Sequence, residues 1–359
     1  MKWDRKFLMA LGCLGLLPFF VACSSVSPSN SEEILFTRPH NTTCLAGAAH
    51  IPPTDLAETG CVDPQDPTQG ASGLIPFSIN FPFWSDGAVK NRWMGLPDGK
   101  VVTIQDNGAW QFPPGAVFVK RFSIDGQVIE TRLLMEHDDG TWAGYSYEWN
   151  EAETQATLVP SGGKVRTLGN GQNWQYPSRS QCLFCHNANA GYSIGIETAQ
   201  MNRLFTYPGT NSAANQIATL AAIGVLAQDP GIPSQLPSFF PWDGQNFPSD
   251  GELNDAARAY LHTNCSICHR PGGPGGGPED FRFSTPLASM NACDQVPTLN
   301  DYGIADARLI APGDPDRSII HFRIGSDSDG RMPPLASFLV DESGLDLITQ
   351  WIESLTSCP

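Results

Sequence analysis

Between about Leu74 and Pro160 apolar and polar positions alternate along the chain. The runs "AVFVKRFSI", "QVIETRLLMEH" and "TWAGYSYEW" are separated by Asp125-Gly126 and Asp139-Gly140. Period-two patterning with Asp-Gly between the runs predicts hairpin-linked antiparallel strands, about six in all, in a sandwich or barrel-like domain over 75–165. The pattern then changes to a helical period. Residues 215–228, "NQIATLAAIGVLAQ", predict one long amphipathic helix. A second places Leu253, Ala256, Ala257, Tyr260 and Leu261 on one face, and a third starts at an Asp341 cap with Leu345, Ile348, Trp351, Ile352 and Leu355 on one face. The proline-rich stretch 230–250 separates the first of these helices from the other two. The expected fold class is therefore mixed: an antiparallel β domain followed by two mainly α-helical modules, 170–229 and 251–359.

Export changes the picture of the first 74 residues. "MKWDRK" followed by "FLMALGCLGLLPFFVA" has the basic and apolar regions of a signal peptide, over residues 1–22. It ends in "FVACSS", which resembles a bacterial lipobox, although Phe20 stands where leucine is usual. Cys23 then becomes the acylated mature N-terminus, and 23–74 a tether and irregular lead-in. Ser24, in place of Asp, points to the outer membrane, on the periplasmic side of the cell envelope. No later apolar run is long enough to span a bilayer, so contact with the membrane goes through the lipid anchor. The formal net charge of −16 argues against nucleic acid as a partner.

The ten cysteines divide by role. Cys13 lies in the leader and Cys23 at the lipidation site. Cys182, Cys185, Cys265 and Cys268 form two CxxC pairs. Cys44, Cys61, Cys293 and Cys358 remain, and in an exported chain they are disulfide candidates. Pairing neighbours gives Cys44–Cys61 and Cys293–Cys358, with the other connectivities left open.

Both CxxC pairs run directly into histidine: "CLFCH" at 182–186 and "CSICH" at 265–269. C-x-x-C-H is the attachment signature of c-type haem. The thiols add across the two porphyrin vinyl groups, and the adjacent imidazole is placed under the iron. Zinc ribbons space their pairs about 15–20 residues apart, far closer than Cys182 and Cys265. A thioredoxin-like motif needs a βαβ context, whereas Cys265 follows an amphipathic helix. Two covalent haem c groups are expected, with His186 and His269 as axial iron ligands. "GRMPPL" places Met332 before two prolines and ahead of a C-terminal helix, the plan of a methionine-ligated haem domain. The first motif has no comparable sixth ligand. Met201, Met94, Met135, His137 and His262 are the candidates. The glycines of "RPGGPGGGPED" read as a turn beside the haem, since no Gly-Lys-Ser/Thr follows. Asp327 and Asp329 of "SDSDG" read as a turn rather than a calcium loop, since position 338 is Phe.

The stretches "PFWSDGAVKNRW", "FPPGAVFVKRF", "ETRLL", "GYSYEWN", "YPSRSQCLFCHNANAG", "GIETAQMNR", "YLHTNCSICHRPGG", "PGDPDRS" and "RMPPL" cover most of 75–355. On them the chain resembles a largely uncharacterised family of exported bacterial dihaem c-type cytochromes. The resemblance implies a β domain followed by two cytochrome c modules, and electron carriers whose redox partners are mostly unassigned. Ile267 departs from a frequent histidine, and Met201 from a frequent leucine. The reading is a dihaem c-type cytochrome that passes single electrons to a redox partner protein, rather than an enzyme. The alternatives are a dihaem peroxidase or oxidase open at the first haem, and an envelope lipoprotein that binds sugar through its tryptophan-rich β domain.

Overall fold

The alternation between Ile75 and Leu158 becomes one sheet. The computed structural model describes residues 36–47, 51–208, 210, 212–328 and 330–359. The signal peptide, Cys23 and most of the tether lie outside them. The strands are β1 (Ile75–Phe77), β2 (Val89–Gly95), β3 (Thr103–Ile104), β4 (Trp110–Gln111), β5 (Val117–Ile124) and β6 (Gln127–Glu136). They continue with β7 (Trp142–Trp149), β8 (Ala156–Leu158), β9 (Lys164–Thr167), β10 (Asn173–Tyr176), β11 (Leu204–Thr206) and β12 (Ala213–Asn215). The main sheet has the order β1-β2-β5-β6-β7-β8, antiparallel throughout. It is open at β1 and β8, so it is not a closed barrel. β3-β4, β9-β10 and β11-β12 form separate two-stranded ribbons. Asp125 and Gly126 both take positive φ, 50° and 83°, which is what the two-residue β5-β6 hairpin needs.

Successive residues of a strand point to opposite faces, so the register sorts the side chains. On one face Trp93, Val119, Leu133 and Tyr145 stand abreast. They pack with Cys44, Leu56, Cys61 and Leu74 from the lead-in. Disulfides join Cys44 to Cys61, closing this lead-in, and Cys293 to Cys358, tying down the C-terminus. On the opposite face Met94, Phe118 and Leu134 stand abreast and pack with Trp110, Ile196 and Ile217. Trp110, Trp149 and Trp174 are buried. These three build cores, while Trp84 and Trp142 are half-buried.

The two mainly α-helical modules are not found. The helices among the described residues are α1 (Arg179–Cys185), α2 (Thr198–Met201), α3 (Gln216–Ala222), α4 (Leu253–Asn264), α5 (Ile319–Gly325) and α6 (Glu342–Ser354). Only α4 and α6 exceed seven residues, and no α-helix lies between Asn264 and Ile319. The chain is a β-rich antiparallel sheet protein with few helices. Glycine and proline explain the shortfall, because each is costly inside a helix. The long helix expected over 215–228 ends at Ala222, where Gly224 takes φ 70°. Leu226 then bridges to Val102 in extended conformation. α4 and α6 do bury the expected Ala256, Ala257, Tyr260, Leu261, Ile348, Trp351 and Ile352 in one core, which also takes in Leu347, while the expected Leu253, Leu345 and Leu355 pack against it half-buried. No described helix is long and apolar enough to cross a membrane.

Candidate functional site

The first CxxCH motif is built on α1. Ser178 Oγ accepts from the Gln181 amide at 3.1 Å, and Gln181 Oε1 accepts from the Ser178 amide at 2.9 Å. This capping box starts the helix, so Cys182 and Cys185 lie on it and His186 closes it. Cys182 rests on β7 at Gly144, where a Cβ would lie 2.6 Å from Cys182 Cβ. His186 Nδ1 sits 2.6 Å from the Tyr192 carbonyl oxygen. A carbonyl only accepts, so Nδ1 carries the proton and Nε2 keeps its lone pair. Burial, reinforced by the Lys120 charge, pulls His186 down to about 3. A neutral imidazole fixed by a backbone carbonyl is the form that binds a metal.

The second motif begins where α4 ends, with Cys265 as its C-cap. His269 Nδ1 lies 3.5 Å from Glu279 Oε2, and both atoms are buried without a hydrogen bond. The glycine-rich loop folds back on the motif itself. A Cβ on Gly275 would sit 2.8 Å from the Cys268 carbonyl oxygen and 2.9 Å from His269 Nδ1. The loops after the two motifs touch. Arg270 Nη1 donates to the Asn189 carbonyl at 3.0 Å, and Asn189 Nδ2 donates to the Gly272 carbonyl.

One cavity receives all of these groups. Cys182, Cys185, His186, Cys265, Cys268, His269 and Met332 line it, and it encloses about 2310 Å³ of atom-free space, counting the part open to solvent. The loop bearing Met332 is held from across the molecule by Asp86. Its carboxylate accepts from Ser337 Oγ at 2.6 Å and from the Phe338 and Leu339 amides at 2.8 and 3.0 Å. The other proposed sixth ligands do not line the cavity. Met94 and Met201 are packed in the core between the sheet and α3, and Met135 lies in the core on the other face of the sheet. His137 Nε2 meets Tyr145 Oη at 3.0 Å, and His262 Nε2 meets Glu197 Oε1 at 2.8 Å.

The four cavity cysteines are free thiols. Burial pushes Cys185 and Cys265 up to about 12, and raises Cys182 and Cys268 as well. Disulfide-exchange cysteines need the opposite shift. A haem fits this donor set better. Its iron takes most of its ligands from the porphyrin and needs one or two side chains, and its thioether bonds leave no thiolate charge to stabilise.

The sequence reading missed the cations of the cavity wall. Arg92 of β2, Lys120 of β5 and Arg132 of β6 are directly opposed in register, and all line the cavity with Lys90 and Arg323. A signal was present: in each strand the cation occupies the same alternation phase as Met94, Phe118 and Leu134, which the pattern assigns to the interior. Asp86 was also missed, inside a loop that carries no periodic pattern.

No family model matches the chain, and neither a curated protein nor a solved structure matches it. The resemblance to exported dihaem c-type cytochromes is corrected accordingly: it rested on short stretches, and no family stands behind them here. No cluster of three or more His, Cys, Asp or Glu able to hold an ion occurs among the described residues, so the expected metal-binding character has no support from side chains alone. What remains is a β-rich chain of no shown family, with two CxxCH motifs and one methionine facing a single cavity.

Proposed function

We propose that the chain carries single electrons on two haems, attached through Cys182 and Cys185 and through Cys265 and Cys268. The observation that supports this is the convergence of both CxxCH motifs and Met332 on one cavity. A haem so bound supplies a one-electron iron couple. The chain's own residues do the rest. His186, donating its Nδ1 proton to the Tyr192 carbonyl, offers Nε2. His269 sits against Glu279, and Met332 offers a thioether, a ligand that suits the softer ferrous state. Phe77, Phe118, Leu134 and Ile324 give the cavity an apolar wall that limits water. Export and acylation at Cys23 would hold the protein at the periplasmic side of the envelope, where a redox partner protein would meet its acidic surface.

The test is the intact mass of the full chain, produced in a host that attaches haem to CxxCH. Two haems per chain that survive acid denaturation are expected. A chain recovered without haem, or with zinc at both motifs, overturns the proposal. A second reading, an enzyme with one open iron, is favoured by a specific observation: Met332 is the one methionine in the cavity lining.

A further inference from the structure

The opposed cations of the sheet form a feature that the electron-carrier reading does not itself require. Arg92 pairs with Lys120 across β2 and β5, and Lys120 with Arg132 across β5 and β6. Like charges directly opposite one another destabilise a sheet. The next rung on the same face is Met94, Phe118 and Leu134, fully apolar. The cations are therefore set in an apolar wall of a chain whose overall charge is strongly negative.

Counter-charge within the protein is scarce. Arg132 is paired: Nε and Nη2 donate to the two Glu130 oxygens at 2.8 and 2.7 Å. Glu130 is fully buried and also accepts from Trp174 Nε1 at 2.9 Å, so its capacity is taken. Lys90 donates to the Phe83 carbonyl, a neutral acceptor. Arg92 has only the Lys90 carbonyl, at 3.3 Å. Lys120 makes no hydrogen bond or ion pair among the described residues. Burial, with Arg92 and Arg132 beside it, pulls Lys120 down to about 7. A buried charge without a counter-charge is expensive, so Arg92 and Lys120, facing a cavity beside the paired Arg132, mark the place of an absent anion. Cys182 packs against Gly144, and Gly144 pairs with Leu134, one rung from Arg132 on the same face, which puts the row beside the first motif.

We propose that the rung Arg92–Lys120–Arg132 is an anion site that receives the carboxylate side arms of the porphyrin held at Cys182 and Cys185. The inference rests on the haem reading and adds a role for the sheet in it: the sheet recognises the charged edge of the group, while the two motifs recognise its vinyl groups and its iron. Guanidinium and ammonium donors suit carboxylates, and charge-assisted bonds in a dry wall are the strong ones.

The test compares two probes on the full-length chain purified without attached haem: iron protoporphyrin IX, and its dimethyl ester, which has the same ring but no free carboxylate. The free acid should bind about ten-fold or more tightly than the ester, a difference of about 1.4 kcal/mol. In Arg92→Gln/Lys120→Gln that preference should fall towards one, with ester binding unchanged. Equal binding of the two probes to the unaltered chain overturns the anion site while leaving the haem reading standing. Failure of both probes to bind overturns the haem reading, and this inference with it. The comparison on the unaltered chain decides the matter even if the double variant does not fold.

Discussion

At the residue scale, Lys120 has a consequence for the protein before any ligand is bound. Its folded value of about 7 lies below the ordinary lysine value of about 10.4, so between those limits the unfolded chain holds more protons than the folded one. Stability therefore rises with pH through that window, and the penalty is fully present below about pH 7. Other groups titrate there as well, and the buried thiols act in the opposite direction. The measurable quantity is then the difference between the unaltered chain and Lys120→Met. In urea unfolding of the haem-free protein, the variant should be more stable at pH 7, and its advantage should shrink as the pH approaches 10. An advantage that stays constant from pH 7 to pH 10 would mean that Lys120 keeps an ordinary value. Asp86 makes a different point at this scale. One carboxylate at a strained position, φ 49°, fixes three consecutive residues of the Met332 loop. Nothing in a short "WSDG" run announces a partner some 250 positions away.

At the element scale, what was legible follows from how local the determinants are. The β5-β6 hairpin was readable because its turn and its alternation lie within one short run. α4 and α6 were readable because an apolar face repeats over about three turns. The helix over 215–228 was misread because its apolar residues serve two structures, a helix up to Ala222 and an extended pairing with Val102 after Gly224. The module plan failed for a related reason: the CxxCH spacing is a signature of attachment chemistry and says little about the fold around it. The two disulfide pairs could be read from sequence, whereas the cation rung needed the register of three strands. The α4-α6 contact offers a test in which two effects compete. Gly344 lies in the first turn of α6, where an alanine would gain about 1 kcal/mol of helix propensity. Its Cβ would fall 2.3 Å from Tyr260 Cε2, and Tyr260 is buried in the shared core. Overpacking of that kind costs about 1–3 kcal/mol. Gly344→Ala should therefore destabilise the protein, read as a lower denaturant midpoint at unchanged slope. A higher midpoint would show that the two helices separate easily.

At the scale of the whole molecule, the sheet, the two motifs and the Met332 loop meet around one cavity, and the count of donors there sets what irons held there could do. Among the described residues, the lining offers two imidazoles, His186 and His269, and one thioether, Met332. Two haem irons, each taking one histidine as proposed, would leave two sixth positions and one side chain to fill them. Met94, Met135, Met201, His137 and His262 are committed elsewhere, in cores or in hydrogen bonds. With two haems attached, one iron should be closed by sulfur and the other open. The reduced protein should then take up one carbon monoxide per chain, and Met332→Ala should take up two. The fold should survive that change, since both thioether pairs and both histidines still hold their groups, and unchanged circular dichroism would confirm it. Uptake of two molecules by the unaltered protein would remove Met332 from the iron. Uptake of none would mean that a second side chain closes the other iron, and the enzyme reading would lose its open site.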